Sequence, residues 1–183
     1  GWQGWNWWQR QQAAQASAVF SSLQAATAQR DAKRARELAG ELIDKHSVTS
    51  YAGMGALLAA RVQVDAGDAK NARAQLAWAV ENARDPGLRD LARLRLAAVM
   101  LDEKAYDEAM KQLAAEPGAS FAPRFAELRG DILAAQGKTA EARTAYDLAL
   151  TKFDALARDD ENRQRGGYKE VIQTKRDSLG AAK

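Results

Sequence analysis

A chain of 183 residues without a single cysteine cannot hold a disulfide, an iron–sulfur cluster or a thiol nucleophile. Hydrophobic residues, alanine foremost, make up 46% of it and only 3 prolines interrupt it, a composition that excludes a sheet and calls for helices around a sizeable core. Its 27 Lys and Arg alternate with 24 Asp and Glu, as in Asp31-Ala32-Lys33-Arg34-Ala35-Arg36-Glu37, so the net charge of +3 is spread over solvated helix faces and excludes the basic stripe of a nucleic-acid binder.

In chain order, the first element is Gly1-Trp2-Gln3-Gly4-Trp5-Asn6-Trp7-Trp8, which holds all but one of the 5 tryptophans and runs into Gln9-Arg10-Gln11-Gln12. Indoles among amides occur where a transmembrane helix leaves the bilayer, because Trp prefers the headgroup layer. No apolar run of about 18 residues, the length needed to span a membrane, follows anywhere in the chain. The expectation is therefore a Trp-rich juxtamembrane segment over residues 1–10, with Trp2, Trp5, Trp7 and Trp8 membrane-proximal and a single anchor upstream of Gly1. The alternative is an aromatic cluster packed on the first helix. Residues 11–183 are expected to form the folded domain.

Periodicity and turn residues predict helices over 11–29, 31–45, 48–65, 69–83, 87–102, 106–115, 121–136, 139–157 and 167–179. Within them a pattern repeats. Gly137, Ala142, Tyr146 and Ala149 follow Gly130 by 7, 12, 16 and 19 residues. Ala60, Gly67, Ala72, Leu76 and Ala79 repeat those intervals, and Ala97, Lys104, Ala109 and Leu113 repeat most of them. Ala35 stands 37 residues before Ala72 as a weaker fourth copy. Small residues that let antiparallel helices touch, with a larger one beside them, resemble the tetratricopeptide pattern, whose period is about 34 residues. The fold class is all-α: a tetratricopeptide-like right-handed solenoid of antiparallel helix pairs. Residues 167–179 form its C-terminal capping helix after the polar loop Asp159–Gly167.

From Trp2 to Leu150 the order of features resembles the YfgM-type ancillary subunits of the bacterial Sec translocon. The residues that carry the resemblance are Gly1-Trp2 with Trp5-Asn6, the first helix Ala14–Leu23, Tyr51-Ala52 with Met54, Leu94-Arg95-Leu96-Ala97, and Leu128-Arg129-Gly130-Asp131-Ile132-Leu133-Ala134-Ala135-Gln136-Gly137. The resemblance implies a single-pass inner-membrane protein with this domain in the periplasm. It also implies Sec translocon subunits and periplasmic chaperones as partners, and it brings no catalytic residues.

The residues themselves offer little chemistry. The lone histidine, His46, sits at a helix end and is expected to meet the last carbonyls of that helix rather than a metal. Asp159-Asp160 is read as a solvated loop rather than an acid–base dyad. Gly166-Gly167 lacks the Lys-Ser/Thr of a phosphate loop, and no nucleophile elbow occurs. No catalytic site, metal, cofactor or small-molecule substrate is expected.

Binding to proteins is the remaining function. The first helix of each pair in such a solenoid lines its concave face. Counted from the small contact residue, the groove positions are Met54, Leu57, Arg61 and Asp65; then Leu91 and Leu94 with Leu101 beside them; then Arg124, Glu127 and Asp131. On residues 87–102, Leu88, Leu91, Leu94, Ala98 and Leu101 form one apolar stripe and Ala92, Leu96 and Val99 another. Two stripes serve either a helix packed on both sides or a core stripe plus a hydrophobic groove. The expected function is a non-catalytic interaction module at the Sec translocon. The alternatives are a holdase for exported chains and a scaffold for envelope assembly.

Overall fold

The computed structural model describes residues 1–158 and 167–180. Among these, every regular element is helical: α1 (Trp2–Ala28), α2 (Ala32–Lys45), α3 (Ser50–Asp65), α4 (Ala69–Asn82), α5 (Pro86–Asp102), α6 (Tyr106–Gln112), a 3-10 turn (Ala119–Phe121), α7 (Ala122–Ala135), α8 (Thr139–Ala157) and α9 (Tyr168–Ser178). The all-α expectation holds. Asp159-Asp160 and Gly166 lie outside the described residues.

The repeat is written into the turns. Arg30, Gly67, Lys104 and Gly137 each take a left-handed backbone, with φ of 56°, 80°, 62° and 78°. Each turn closes the same way, the next residue's N–H reaching back across the helix end: Asp31 to Ala26 O (2.9 Å), Asp68 to Gln63 O (2.8 Å), Ala105 to Met100 O (2.8 Å) and Lys138 to Leu133 O (2.9 Å). This bond satisfies a carbonyl that the helix end would leave orphaned. Two of the following helices are then capped by a carboxylate: Asp31 accepts from the Arg34 N–H at 3.0 Å and Asp68 from the Asn71 N–H at 3.4 Å. Five residues after each left-handed position stands Ala35, Ala72, Ala109 or Ala142, every one 0% exposed. The weak fourth copy in the sequence therefore shares the turn and the buried alanine of the other three.

Two compact units emerge, Gly1–Val99 and Met100–Lys183. In the first, α1, α2 and α3 share a core of Ala16, Leu23 and Ala26, Leu38, Ala39 and Leu42, and Ala52 and Ala59, with Phe20, Tyr51 and Trp78 against its edge. Gly55 is required here: a Cβ on it would stand 2.5 Å from Leu42 Cδ1. The expected start of the first helix near residue 11 is corrected, since α1 runs unbroken from Trp2. No proline interrupts residues 1–28, and the Trp and Gln residues there tolerate helical dihedrals, so the local composition continues the helix.

His46 also differs from expectation. Its backbone N–H closes α2 on Leu42 O at 2.9 Å, while its ring leaves the helix end and pairs Nδ1 with Gln12 Oε1 on α1 at 2.7 Å. The ring is thereby buried and ties the α2–α3 turn to α1.

In the second unit, α6 stops at Gln112, short of the expected 115, ahead of Pro117, which cannot donate to a helix ladder. The Arg129 guanidinium takes over part of that end, donating to Leu113 O at 2.7 Å. α7 and α8 pack along Ala126, Leu133, Ala142, Ala145, Tyr146, Ala149 and Leu150, and α9 closes this core with Ile172, which is fully buried. The C-terminal segment thus acts as the expected cap within its unit.

Candidate protein-binding faces

In the first unit the candidate positions divide by burial. Leu57 is 4% exposed and belongs to the core, so its expected place on an open groove is corrected. The helix turns it toward its neighbours while Met54, one turn earlier, stays 37% exposed. Arg61 and Asp65 are exposed. On α5 the two stripes separate as well. Ala92, Leu96 and Val99 are buried, whereas Leu88, Leu91, Leu94 and Ala98 are each half-buried. A stripe closed on one side and partly open on the other is what an apolar docking helix presents. Leu101, on the last turn of α5 and in the second unit, is half-buried too.

In the second unit the three charged positions on α7 already have a ligand of their own, helix α9. Lys175 Nζ bridges Glu127 Oε2 at 3.1 Å and Asp131 Oδ2 at 2.9 Å. The Tyr168 hydroxyl donates to Glu127 Oε1 at 3.1 Å, and the Tyr146 hydroxyl donates to Asp131 Oδ1 at 2.6 Å. Arg124 lies over the Tyr168 ring, 5.8 Å from its centroid. Burial first, then the neighbouring carboxylates, push both phenols far above their ordinary range. At Lys175 burial opposes the charge, but Asp131 and Glu127 outweigh it and raise the ammonium above its usual value. Arg124, Glu127 and Asp131 are therefore brought together, yet as the seat of α9. The alternating charge of the sequence gives no sign of this, because the pairing joins residues 48 apart along the chain.

Around α1 the sequence reading and the structure meet differently. Trp2, Trp5, Trp7 and Trp8 are 78%, 55%, 64% and 37% exposed, while Trp78 packs against the core. No helix among the described residues is long and apolar enough to cross a membrane. Nor do three or more His, Cys, Asp or Glu gather to hold a metal ion among them.

A profile of the tetratricopeptide repeat-like domain matches residues 1–181. Three curated relatives carry the description "Ancillary SecYEG translocon subunit". The one from Neisseria gonorrhoeae is 36% identical over 136 residues, 73% of this chain and 59% of the relative. That from Haemophilus influenzae is 32% identical over 149 residues, 80% of this chain and 72% of the relative. That from Escherichia coli is 31% identical over 150 residues, 82% and 72% of the two chains. The matched stretch thus spans less than two thirds of the Neisseria relative's length and somewhat more of the other two.

Proposed function

Given that this chain belongs to the family of ancillary SecYEG translocon subunits and is built as a tetratricopeptide repeat-like domain, we propose that it is a non-catalytic interaction module at the Sec translocon. It is held at the bacterial inner membrane by a single anchor ahead of α1, with the helical domain in the periplasm, and it links the channel to periplasmic chaperones during export. The observation that carries the reading is the divided surface of α5. Ala92, Leu96 and Val99 are buried in the fold, while Leu88, Leu91 and Leu94 keep apolar surface half open. An extended or helical segment of a partner, presenting apolar side chains at matching spacing, suits that stripe. The exposed indoles of α1 support the membrane attachment, since Trp2, Trp5 and Trp7 leave more than half of their surface in water and indole prefers the headgroup layer.

The test is recovery of partners from gently solubilised membranes, with the protein in its native sequence context at native level. Sec channel subunits and periplasmic chaperones are expected to co-purify. Leu94→Glu is expected to lose them while its melting temperature stays within a few degrees of the parent. A protein found in the soluble fraction with neither partner would overturn both the attachment and the translocon reading. Collapse of Leu94→Glu would return the α5 stripe to the core.

A further inference from the structure

A second surface lies in the first unit, where α1 passes the α2–α3 turn. An α-helix turns about 100° and rises about 1.5 Å per residue, so Trp2, Trp5 and Trp8 form one slanting ribbon on α1. Trp5 and Trp8 stack at 5.1 Å between ring centroids, an aromatic pair open to solvent with Trp2 exposed one turn earlier. Directly beyond it a cleft of about 410 Å³ opens, lined by Asn6, Gln9 and Arg10 of α1, by Ser50 and Tyr51 of α3 and by Arg84 of the α4–α5 loop, together with three small or apolar neighbours.

The cleft is electropositive by construction. No acidic residue lines it. Along all 27 residues of α1 the one charged side chain is Arg10. Its guanidinium makes no hydrogen bond or ion pair among the described residues. Arg84 is held at the rim by its Nη1, which donates to Val48 O at 2.8 Å, and its guanidinium carries further donors. The two walls are also fastened to one another through the His46–Gln12 pair. Arg10 follows Trp8 by about 3 Å along the helix axis. Indoles favour the headgroup layer, and a cation this near along the axis is attracted by anionic lipid there.

We propose that this cleft seats the phosphate of an anionic phospholipid, bound by Arg10 and Arg84, with Trp2, Trp5 and Trp8 set into the adjoining headgroup layer. The first unit then rests on the bilayer instead of pivoting on α1. The proposal rests on the membrane reading above and adds to it a defined lipid contact. Guanidinium groups suit the task because their planar donors meet phosphate oxygens in pairs.

The experiment uses the 183-residue chain and two kinds of vesicle, phosphatidylcholine alone and phosphatidylcholine mixed with phosphatidylglycerol. It follows co-sedimentation and tryptophan emission. Tighter binding to the anionic vesicles, weakened by salt, is expected. Arg10→Gln, whose side chain has no fold to support, is expected to weaken binding to the anionic vesicles about fivefold and to leave phosphatidylcholine binding unchanged. Arg84→Gln is expected to do the same, with its melting curve read alongside because it releases the Val48 carbonyl. If both variants keep the parent's preference while the emission still shifts to the blue, the cleft is not the lipid site and the membrane reading survives alone. If the chain binds neither vesicle, the lipid contact falls, whereas the anchor ahead of α1 is decided by the membrane recovery described above. Tight binding of inorganic phosphate without vesicles would replace the lipid by a soluble anion and overturn the proposal.

Discussion

Gly130 and Tyr146 meet so closely that a Cβ built on Gly130 would stand 2.5 Å from the Tyr146 Cε1 and 2.6 Å from its Cδ1. The ring cannot simply move aside, because its hydroxyl is bonded to Asp131 and its face closes the core between α7 and α8. Gly130→Ala is therefore expected to destabilise the second unit by about 1–3 kcal/mol, in spite of the better helix propensity of alanine. Gly40 is the control. It lies in α2, where an added Cβ would meet no atom within 4 Å, so Gly40→Ala is expected to gain about 0.5–1 kcal/mol. Urea unfolding of the two variants should move in opposite directions.

The four left-handed turns carry a second expectation. Lys104 occupies a position that Gly67 and Gly137 fill without strain, and a left-handed backbone costs a residue with a Cβ about 1–2 kcal/mol. The greater freedom of glycine in the unfolded chain takes back part of that gain. Lys104→Gly is expected to stabilise by up to about 1 kcal/mol, and Gly137→Lys to destabilise by about 1 kcal/mol. Thermal unfolding of both variants checks this, and a Gly137→Lys variant as stable as the parent would contradict it.

Alkaline pH should loosen the cap. Tyr146, Tyr168 and Lys175 all hold their protons more tightly in the folded chain than in the unfolded one. Their contribution to stability is complete below the unfolded values, about 10 for tyrosine and slightly above for lysine, and is lost as pH rises through the folded ones. The stability of the second unit is thus expected to fall above about pH 10. Tyr146→Phe and Tyr168→Phe should flatten the fall and remove the late-rising part of the tyrosinate absorbance. An unchanged alkaline profile in the double variant would assign the loss elsewhere.

On α5 the closed and open stripes should respond differently. Leu96 is 2% exposed, and Leu96→Ala is expected to cost about 2–5 kcal/mol. Leu94 is half-buried, and Leu94→Ala should cost only about 1 kcal/mol. Equal losses, measured by denaturant titration, would make both stripes core.

The sequence by itself determined the helices, the turns between paired helices and the register of the repeat. These are local matters, settled by alanine content, by glycine at two left-handed positions and by spacings that put Ala72, Ala109 and Ala142 at one contact. Lys104 falls in the register of Gly67 and Gly137, but its left-handed backbone, like that of Arg30, is not advertised by its side chain; the positive φ and the bonds closing the turns reveal it. The tertiary structure alone decided what covers each helix face. Glu127 and Asp131 look like solvated charges until Lys175, Tyr146 and Tyr168 arrive from other helices. Leu57 looks like a groove residue until its neighbours enclose it. His46 turns from its own helix end to Gln12, 34 residues earlier. Periodicity reports which face of a helix is apolar, whereas burial and partnership depend on residues far apart in the chain, and these come together only when the helices pack.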